Sequence, residues 1–571
     1  MSDRFDVEAA YRDVAPGFIL TSELESADMI PVSFWLAENG EDIQQAALAM
    51  MATPLKNRLY LSAAELQARF GADPATVETV KAFAKKHGLE PVAGGENSRL
   101  ITMHVQPGQV EELFGVDLKT YRSNNNRTCR GRTGTINLLA EDFPDEGLRR
   151  NVIAVFGLDN RRQARHFSIQ GPRGSSTTVE SKNMIETHGE LKADLRTEVA
   201  AGSPYPPLVY GFPNVPAARN TPRTTPTLTG KGQTVGIVEF GGDLTVADLA
   251  TPPATSKQVS VVSFRQGGAS YLDPNFLQET KMDVAIAFQC APGIDATVFL
   301  LDESEQGWTA GLNGILALDP IPSVLSVSWG WAETSIDPKT QLWTPAAISA
   351  IEDLLAALVL RGVTTVVASG DLGWRICYPG SSAFVLSCGA SITPGPREAV
   401  WTYPAKASAS GGGISDEIPM PSWQARAGIV CNGAGLPTAT NGKRCLPDVA
   451  AWGVFPNNSL QGTSAAAPIW AGLMALANEQ LTNQGQPVAG NINALLYNPE
   501  TGLQATCNDI VIGNNSISIT GGKPFYRASC GWDACTGWGS PNAMEFIGTL
   551  AKSDPSASAE EADRDGEPAP D

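Results

Sequence analysis

Histidine is nearly missing from this chain: among 571 residues there are His87, His104, His166 and His188, and none follows residue 188. Catalysis in the rest of the chain must run without imidazole, which excludes a Ser-His-Asp triad there. No G-x-S-x-G elbow occurs, so an α/β-hydrolase esterase is excluded as well. No apolar run reaches about 18 residues, and a membrane-spanning helix is therefore not expected. The opening stretch MSDRFDVEAAYRDVAPGF has no basic region leading into an apolar one, so no secretory signal is legible. Basic residues are outnumbered, 41 Lys and Arg against 60 Asp and Glu, for a net charge of −19 and a pI near 4.8. A phosphate backbone repels such a surface, which argues against nucleic acid as a partner. The same acidity suits a protein that meets low pH, where protonation relieves self-repulsion, and it equally serves solubility. C-x-x-C pairs are absent too, so a structural zinc site is not expected. Eight of the nine cysteines lie beyond residue 280, which leaves disulfides and buried thiols both open.

What is present is ample apolar material, 42% of the chain, enough for at least two cores at this length. The first 170 residues alternate strand and helix patterns. MIPVSFWLA (29–37) and RLITMHV (99–105) read as strands, and Asp73 with Pro74 starts a helix with Val77, Val80 and Ala84 on one stripe. This is an α+β unit of ferredoxin-like size. Residues 171–207, with GPRGSSTTVESK and AAGSPYPP, read as an exposed, protease-sensitive linker that holds the self-processing site. From 208 to 550, the continuous apolar runs GQTVGIVEF, ATVFLLD, SVLSVSWG and VTTVVASGD are separated by helix-length segments. Buried strands alternating with helices predict an α/β unit, a parallel sheet covered on both faces. Residues 551–571 read as an acidic disordered tail.

In such sheets a site forms at the carboxyl ends of the strands. Asp371 follows one strand in a glycine-flanked turn, Ser328, Trp329 and Gly330 end another, and Gly462, Thr463 and Ser464 open a helix. Glu279 and Asp283 are four apart on a predicted helix and share a face. Singly these are an N-cap, a solvated helix face and a turn aspartate. Their order, in a unit without histidine, points to a serine nucleophile served by carboxylates.

That ordered set resembles the sedolisins, the serine-carboxyl peptidases, and within them the kumamolisin-like branch. Glu279 and Asp283 match the family's paired acids, 369–373 its SGDxG, 462–468 its GTSxxxP, LPDVAAWG its PDV segment and GWDACTGWGSP its calcium-loop signature. The resemblance implies a subtilisin-like fold behind an activation prodomain. It implies that Ser464 attacks the scissile carbonyl, Glu279 acts as base and then acid, Asp283 orients Glu279, and Asp371 donates to the oxyanion. Glu239 and Trp329 look like members of the extended network. Substrate is expected to lie as an added strand beside Ser328, Trp329, Gly330, Gly411 and Gly412. One structural Ca2+ is implied at the carboxylates of Asp509 and Asp533 with the carbonyls of Ile510, Ser529 and Gly531. The expected product is a self-processing, acid-active endopeptidase. It would be a monomer in an extracellular or acidic compartment, acting on polypeptides, inhibited by its own prodomain, with no nucleic-acid or membrane partner. The alternative is an inactive binding protein on the same fold, against which all four catalytic positions are filled.

Overall fold

The computed structural model describes residues 3–7, 18–23, 28–91, 99–123, 128–170, 206–213, 228–249, 258–266, 274–335, 342–392, 396–455, 460–518 and 524–553. The expected linker, but for its last two residues, and the acidic tail beyond 553 lie outside them.

In the N-terminal unit, β1 (Ile30–Leu36) is central, hydrogen-bonded on its two sides to antiparallel neighbours. Helices α1 (Ile43–Ala52) and α2 (Pro74–Lys86) follow it. The expected cap is present, since Asp73 Oδ2 accepts from Thr76 N at 2.9 Å and Pro74 occupies the first helical position, where no N–H is needed. The flanking strands are β2 (Leu100–Val105) and β3 (Val152–Phe156). Phe34, Val80, Phe83 and Phe114 close a core separate from that of the larger unit. Two short strands follow, β4 (Arg165–His166) and β5 (Ile169–Gln170), and both pair with the larger unit rather than their own.

The larger unit contains β6 (Thr234–Phe240), β7 (Val259–Ser263), α3 (Pro274–Cys290), β8 (Asp295–Leu301), α4 (Glu305–Leu316), β9 (Val324–Val327), β10 (Trp329–Ala332) and α5 (Pro345–Leu360). After these come β11 (Thr364–Ala368), β12 (Leu386–Ile392), β13 (Ala399–Val400), β14 (Val449–Trp452), β15 (Leu460–Gln461) and α6 (Thr463–Asn483). The main sheet runs β7-β8-β6-β9-β11-β12, parallel throughout. Beyond β12 it gains parallel β14 and antiparallel β13. This is the expected subtilisin-like α/β arrangement. Helix α6 packs on α3, β9, β11 and β12. It is apolar on every side because it runs through the core rather than over it.

Pro468 lies past the first turn, inside the helix, so it removes a needed bond to the carbonyl four residues back, that of Ser464. Ser328 Oγ lies 3.3 Å from this carbonyl.

The cysteines resolve toward thiols: no disulfide joins the described residues, and Cys431 and Cys445 stand with Sγ atoms 3.7 Å apart.

Candidate active site

The carboxyl ends of β6, β9 and β11 converge on the first turn of α6. Glu239 is the penultimate residue of β6, Ser328 follows β9, Asp371 follows β11, and α3 carries Glu279 and Asp283 across the opening. All of these carboxyl groups are buried, with Glu239, Glu279 and Asp283 wholly without exposure. Trp329 Nε1 donates to Glu239 Oε2 at 2.9 Å, and Ser328 Oγ donates to Asp283 Oδ2 at 2.5 Å. Glu239 Oε1, Glu279 Oε1 and Asp283 Oδ1 are buried without another donor. Among the described residues, only His166 brings a basic group within ion-pair reach of these acids, Nδ1 to Glu279 Oε2 at 3.9 Å.

Burial without a fixed cation raises every acid here. Desolvation pushes Glu239 and Asp283 well above the carboxylate range, and the neighbouring charge of Glu279 adds to it. Glu279 is raised by burial, against His166 and the hydroxyls of Ser168 and Ser464, which favour its ionised form. Asp371 is raised well above its ordinary value by burial, despite accepting from Thr463 N and Oγ1, each at 2.9 Å. Its Oδ2 has no partner. Burial thus favours the neutral form of each acid, and a charge on Glu279 opposes a second charge on Glu239 or Asp283.

The chain's own residues 165–170 run through this cleft. Arg165 and His166 pair antiparallel with Gly330 and Trp329, and Ile169 and Gln170 with Gln461 and Leu460. Between them, Phe167 N donates to Ser328 O at 3.0 Å, and Phe167 O accepts from Ser464 N at 3.0 Å. Phe167 O and Asp371 Oδ2 both lie against Cα of Gly462, where a Cβ would overlap both and where φ is +142°. Glycine is required at 462 on both counts. The Phe167 carbonyl therefore lies between Ser464 N, which donates to it, and Asp371 Oδ2. Its ring is buried, with Gly330 and Gly370 as neighbours: a Cβ at Gly330 would come 2.9 Å from Phe167 Cζ. Ser464 Oγ is hydrogen-bonded to Ser328 O at 3.3 Å.

Other expected residues lie elsewhere. Gly411 N donates to Gly370 O at 2.7 Å and Gly412 N to Gly373 O at 3.0 Å, so their amides brace the turn carrying Asp371 rather than reaching residues 165–170. Asp509 and Asp533 sit on two loops joined by Gly531 N, which donates to Asp509 Oδ2 at 2.8 Å. Asp533 is fully buried, accepts from the amides of Cys535 and Thr536 at 2.8 and 3.0 Å, and is pushed up to about 7 by desolvation. Ile510 is buried, Ser529 half-buried and Gly531 exposed. No group of three or more His, Cys, Asp or Glu gathers for a metal among the described residues, so any ion here would draw on main-chain carbonyls.

The profile of the pro-kumamolisin activation domain matches residues 16–161, and that of the subtilase family matches residues 302–510. Kumamolisin from Bacillus sp. (strain MN-32) is 32% identical over 552 residues, 89% of this chain and 88% of that protein. The chain belongs to the sedolisin family, on its kumamolisin side. Sedolisin from Pseudomonas sp. (strain 101) is 27% identical over 550 residues, 88% of this chain and 83% of that protein. The solved structure of Pseudomonas sedolisin complexed with two molecules of pseudo-iodotyrostatin covers 60% of this chain and 97% of that chain, at 26% identity and a TM-score of 0.47. This sedolisin is accordingly a serine peptidase made as a zymogen, with polypeptides as substrates and its own propeptide as inhibitor. No helix among its described residues is long and apolar enough to cross a membrane.

Sequence reasoning overlooked His166, Phe167 and Ser168, which read as the end of the prodomain. The available signal was RHFSI, an aromatic and β-branched stretch between the charged DNRRQ and the polar GPRGSS. An apolar strand at the edge of a linker needs a sheet partner, and the prodomain does not supply one.

Proposed function

We propose that this sedolisin is an acid-active endopeptidase using Ser464, Glu279 and Asp283, with Asp371 as oxyanion donor. The observation that carries this reading is the Phe167 carbonyl, held by Ser464 N on one side and facing Asp371 Oδ2 on the other. A bound substrate takes the course of residues 165–170. Ser464 Oγ attacks the carbonyl carbon while Glu279 accepts its proton, and Asp283, hydrogen-bonded to Ser328, keeps Glu279 in place. Glu279 then protonates the leaving amine, and water repeats the sequence on the acyl-enzyme. A histidine would be fully protonated in acid, whereas a glutamate still ionises there. Trp329 and Glu239 hold the protonation pattern of the cluster.

The same geometry makes the prodomain, residues 1–170, an occupant of its own peptidase. We assign the first self-processing cut to the Phe167–Ser168 bond, with trimming across residues 171–207 to leave a peptidase at 208–550. The oxygen-only set of Asp509, Asp533 and the carbonyls of Ile510, Ser529 and Gly531 fits Ca2+, since a buried carboxylate such as Asp533 with no cationic partner calls for a positive charge. The ion would supply stability, tying together two loops apart from Ser464. Work outside the cell or in an acidic compartment suits these requirements.

The test is digestion of a peptide library at pH values from about 2 to 8 with mass analysis, on the parent, Ser464→Ala and Glu279→Gln. Both variants should stay folded and lose turnover by several orders of magnitude. Comparable activity in either one defeats the assignment.

A further inference from the structure

The seryl hydroxyl that follows the cleft carbonyl has no place in the mechanism above, yet it is held more firmly than the nucleophile. Ser168 Oγ donates to Glu279 Oε2. Ser168 is buried, 5% exposed. On its other side, His166 Nδ1 lies 3.2 Å from the same oxygen, and the His166 ring stands edge-on to Trp329 with centroids 5.4 Å apart. The flanking pairs, His166 with Trp329 and Ile169 with Gln461, fix the backbone before and after it. Ser464 Oγ meanwhile bonds to Ser328 O at 3.3 Å.

We propose that this hydroxyl is a plug on the base: a Ser or Thr immediately after the scissile bond donates to Glu279 Oε2 and weakens the carboxylate that must take the proton of Ser464, so such peptides bind well and are cut slowly. The inference rests on the assignment of Glu279 as base and of Phe167–Ser168 as the bond in the cleft. A hydrogen bond donated to an anion stabilises it and lowers its basicity, so Glu279 takes the proton of Ser464 less readily. The interaction is strongest while Glu279 is ionised in the ground state and weakens as it gains the proton in the transition state, the pattern that lowers kcat and KM together. In the zymogen it slows the first cut, which keeps the precursor whole. As a specificity rule it discriminates against hydroxyl side chains at that one position and favours Ala or Gly there.

Two arms test it. In cis, the full-length chain is acidified and loss of the precursor is followed by mass: Ser168→Ala should process about tenfold faster than the parent, and Ser168→Thr, which keeps the hydroxyl, at close to the parental rate. In trans, the processed enzyme is given paired peptides with Phe followed by Ser or by Ala. The Ala peptide should show a kcat about tenfold higher, with a KM that rises alongside it. This arm needs no variant and so survives any folding defect of Ser168→Ala. Equal kcat values for the two peptides, or a Ser peptide that differs only through a higher KM, would overturn the plug while leaving the peptidase reading intact. If the processed enzyme cuts neither peptide nor any library member, the underlying reading falls with it.

Discussion

Asp371 illustrates how much depends on one proton. Desolvation holds its carboxyl neutral well beyond the usual range, and Oδ2 faces the carbonyl of the cleft peptide. A carboxylic acid donates a hydrogen bond only while protonated, so activity should fall on the alkaline side as Asp371 ionises and on the acid side as Glu279 gains a proton. Asp371→Asn keeps a donor that needs no proton. We expect kcat at the acid optimum to drop by about tenfold to a hundredfold while the alkaline limb moves to higher pH. A pH–rate profile of the variant that overlays the parental one would remove Asp371 from the oxyanion site. The residue types at this site were legible from sequence because four-residue spacing on a helix places Glu279 and Asp283 on one face whatever the surrounding fold. The partners of those groups were not legible, since Ser168 lies 111 residues from Glu279 and Ser328 lies 45 from Asp283.

Among the elements, the contact between α1 and α5 decides how the prodomain stays on. Arg99 Nη1 meets Asp353 Oδ2 at 2.9 Å, and Gln44 Nε2 donates to Asp353 Oδ1 at 2.7 Å, with both ionic side chains about nine-tenths buried. Arg58 Nη1 adds a bond to Asn491 O at 2.7 Å, and Leu61 N one to Leu360 O at 2.9 Å. Removing Arg99 leaves Asp353 buried without its cation, which costs roughly 2 kcal/mol or more and corresponds to about thirtyfold in affinity. Arg99→Ala should therefore release the cleaved prodomain about thirtyfold more readily at neutral pH, read as the inhibition constant of the prodomain added back to processed enzyme. Burial raises Asp353, so acidification neutralises it sooner than an exposed aspartate, and the difference between parent and variant should shrink as the pH falls. Helix α5 itself was legible, since Thr344 and Pro345 start it and Leu360 closes an apolar run. That its Asp353 faces another unit was not, because an acid on a helix reads as solvated until a partner is placed against it.

Across the whole molecule, burial favours the neutral form of many carboxyls, and the sign of their effect on stability is unusual. Glu352 is raised from 4.5 to about 7 by desolvation. An acid whose folded pKa exceeds its unfolded one stabilises the fold fully below the unfolded value and loses that contribution as pH rises through the folded value. Glu352, with Glu239, Glu279, Asp283 and Asp371 shifted in the same direction, should make the fold more stable in acid than at neutrality. The melting temperature of Ser464→Ala, which cannot digest itself, should fall between about pH 4.5 and 7, and a rise over that window would contradict the assignment of neutral buried acids. Calcium acts on the same quantity. Chelation at neutral pH should lower the melting temperature by several degrees and expose the chain around residue 533 to proteolysis, and Asp533→Ala should do so without a chelator. Unchanged melting and no metal by elemental analysis would dismiss the ion.

Local order along the chain was already set by composition and pattern. The absence of histidine after residue 188 ruled out imidazole catalysis in the peptidase unit, and continuous apolar runs broken by helix-length segments required a parallel sheet with its site at the carboxyl ends of the strands. These are consequences of periodicity and residue chemistry, which act over a few residues. Tertiary structure alone decided that residues 165–170 leave the prodomain and enter the cleft, that the Ser328 hydroxyl stands beside the carbonyl freed by Pro468, and that Gly411 and Gly412 brace a turn. Each of these depends on which unpaired backbone groups, distant in sequence, come within hydrogen-bond reach once the sheet has closed, and a linear pattern holds no record of that distance.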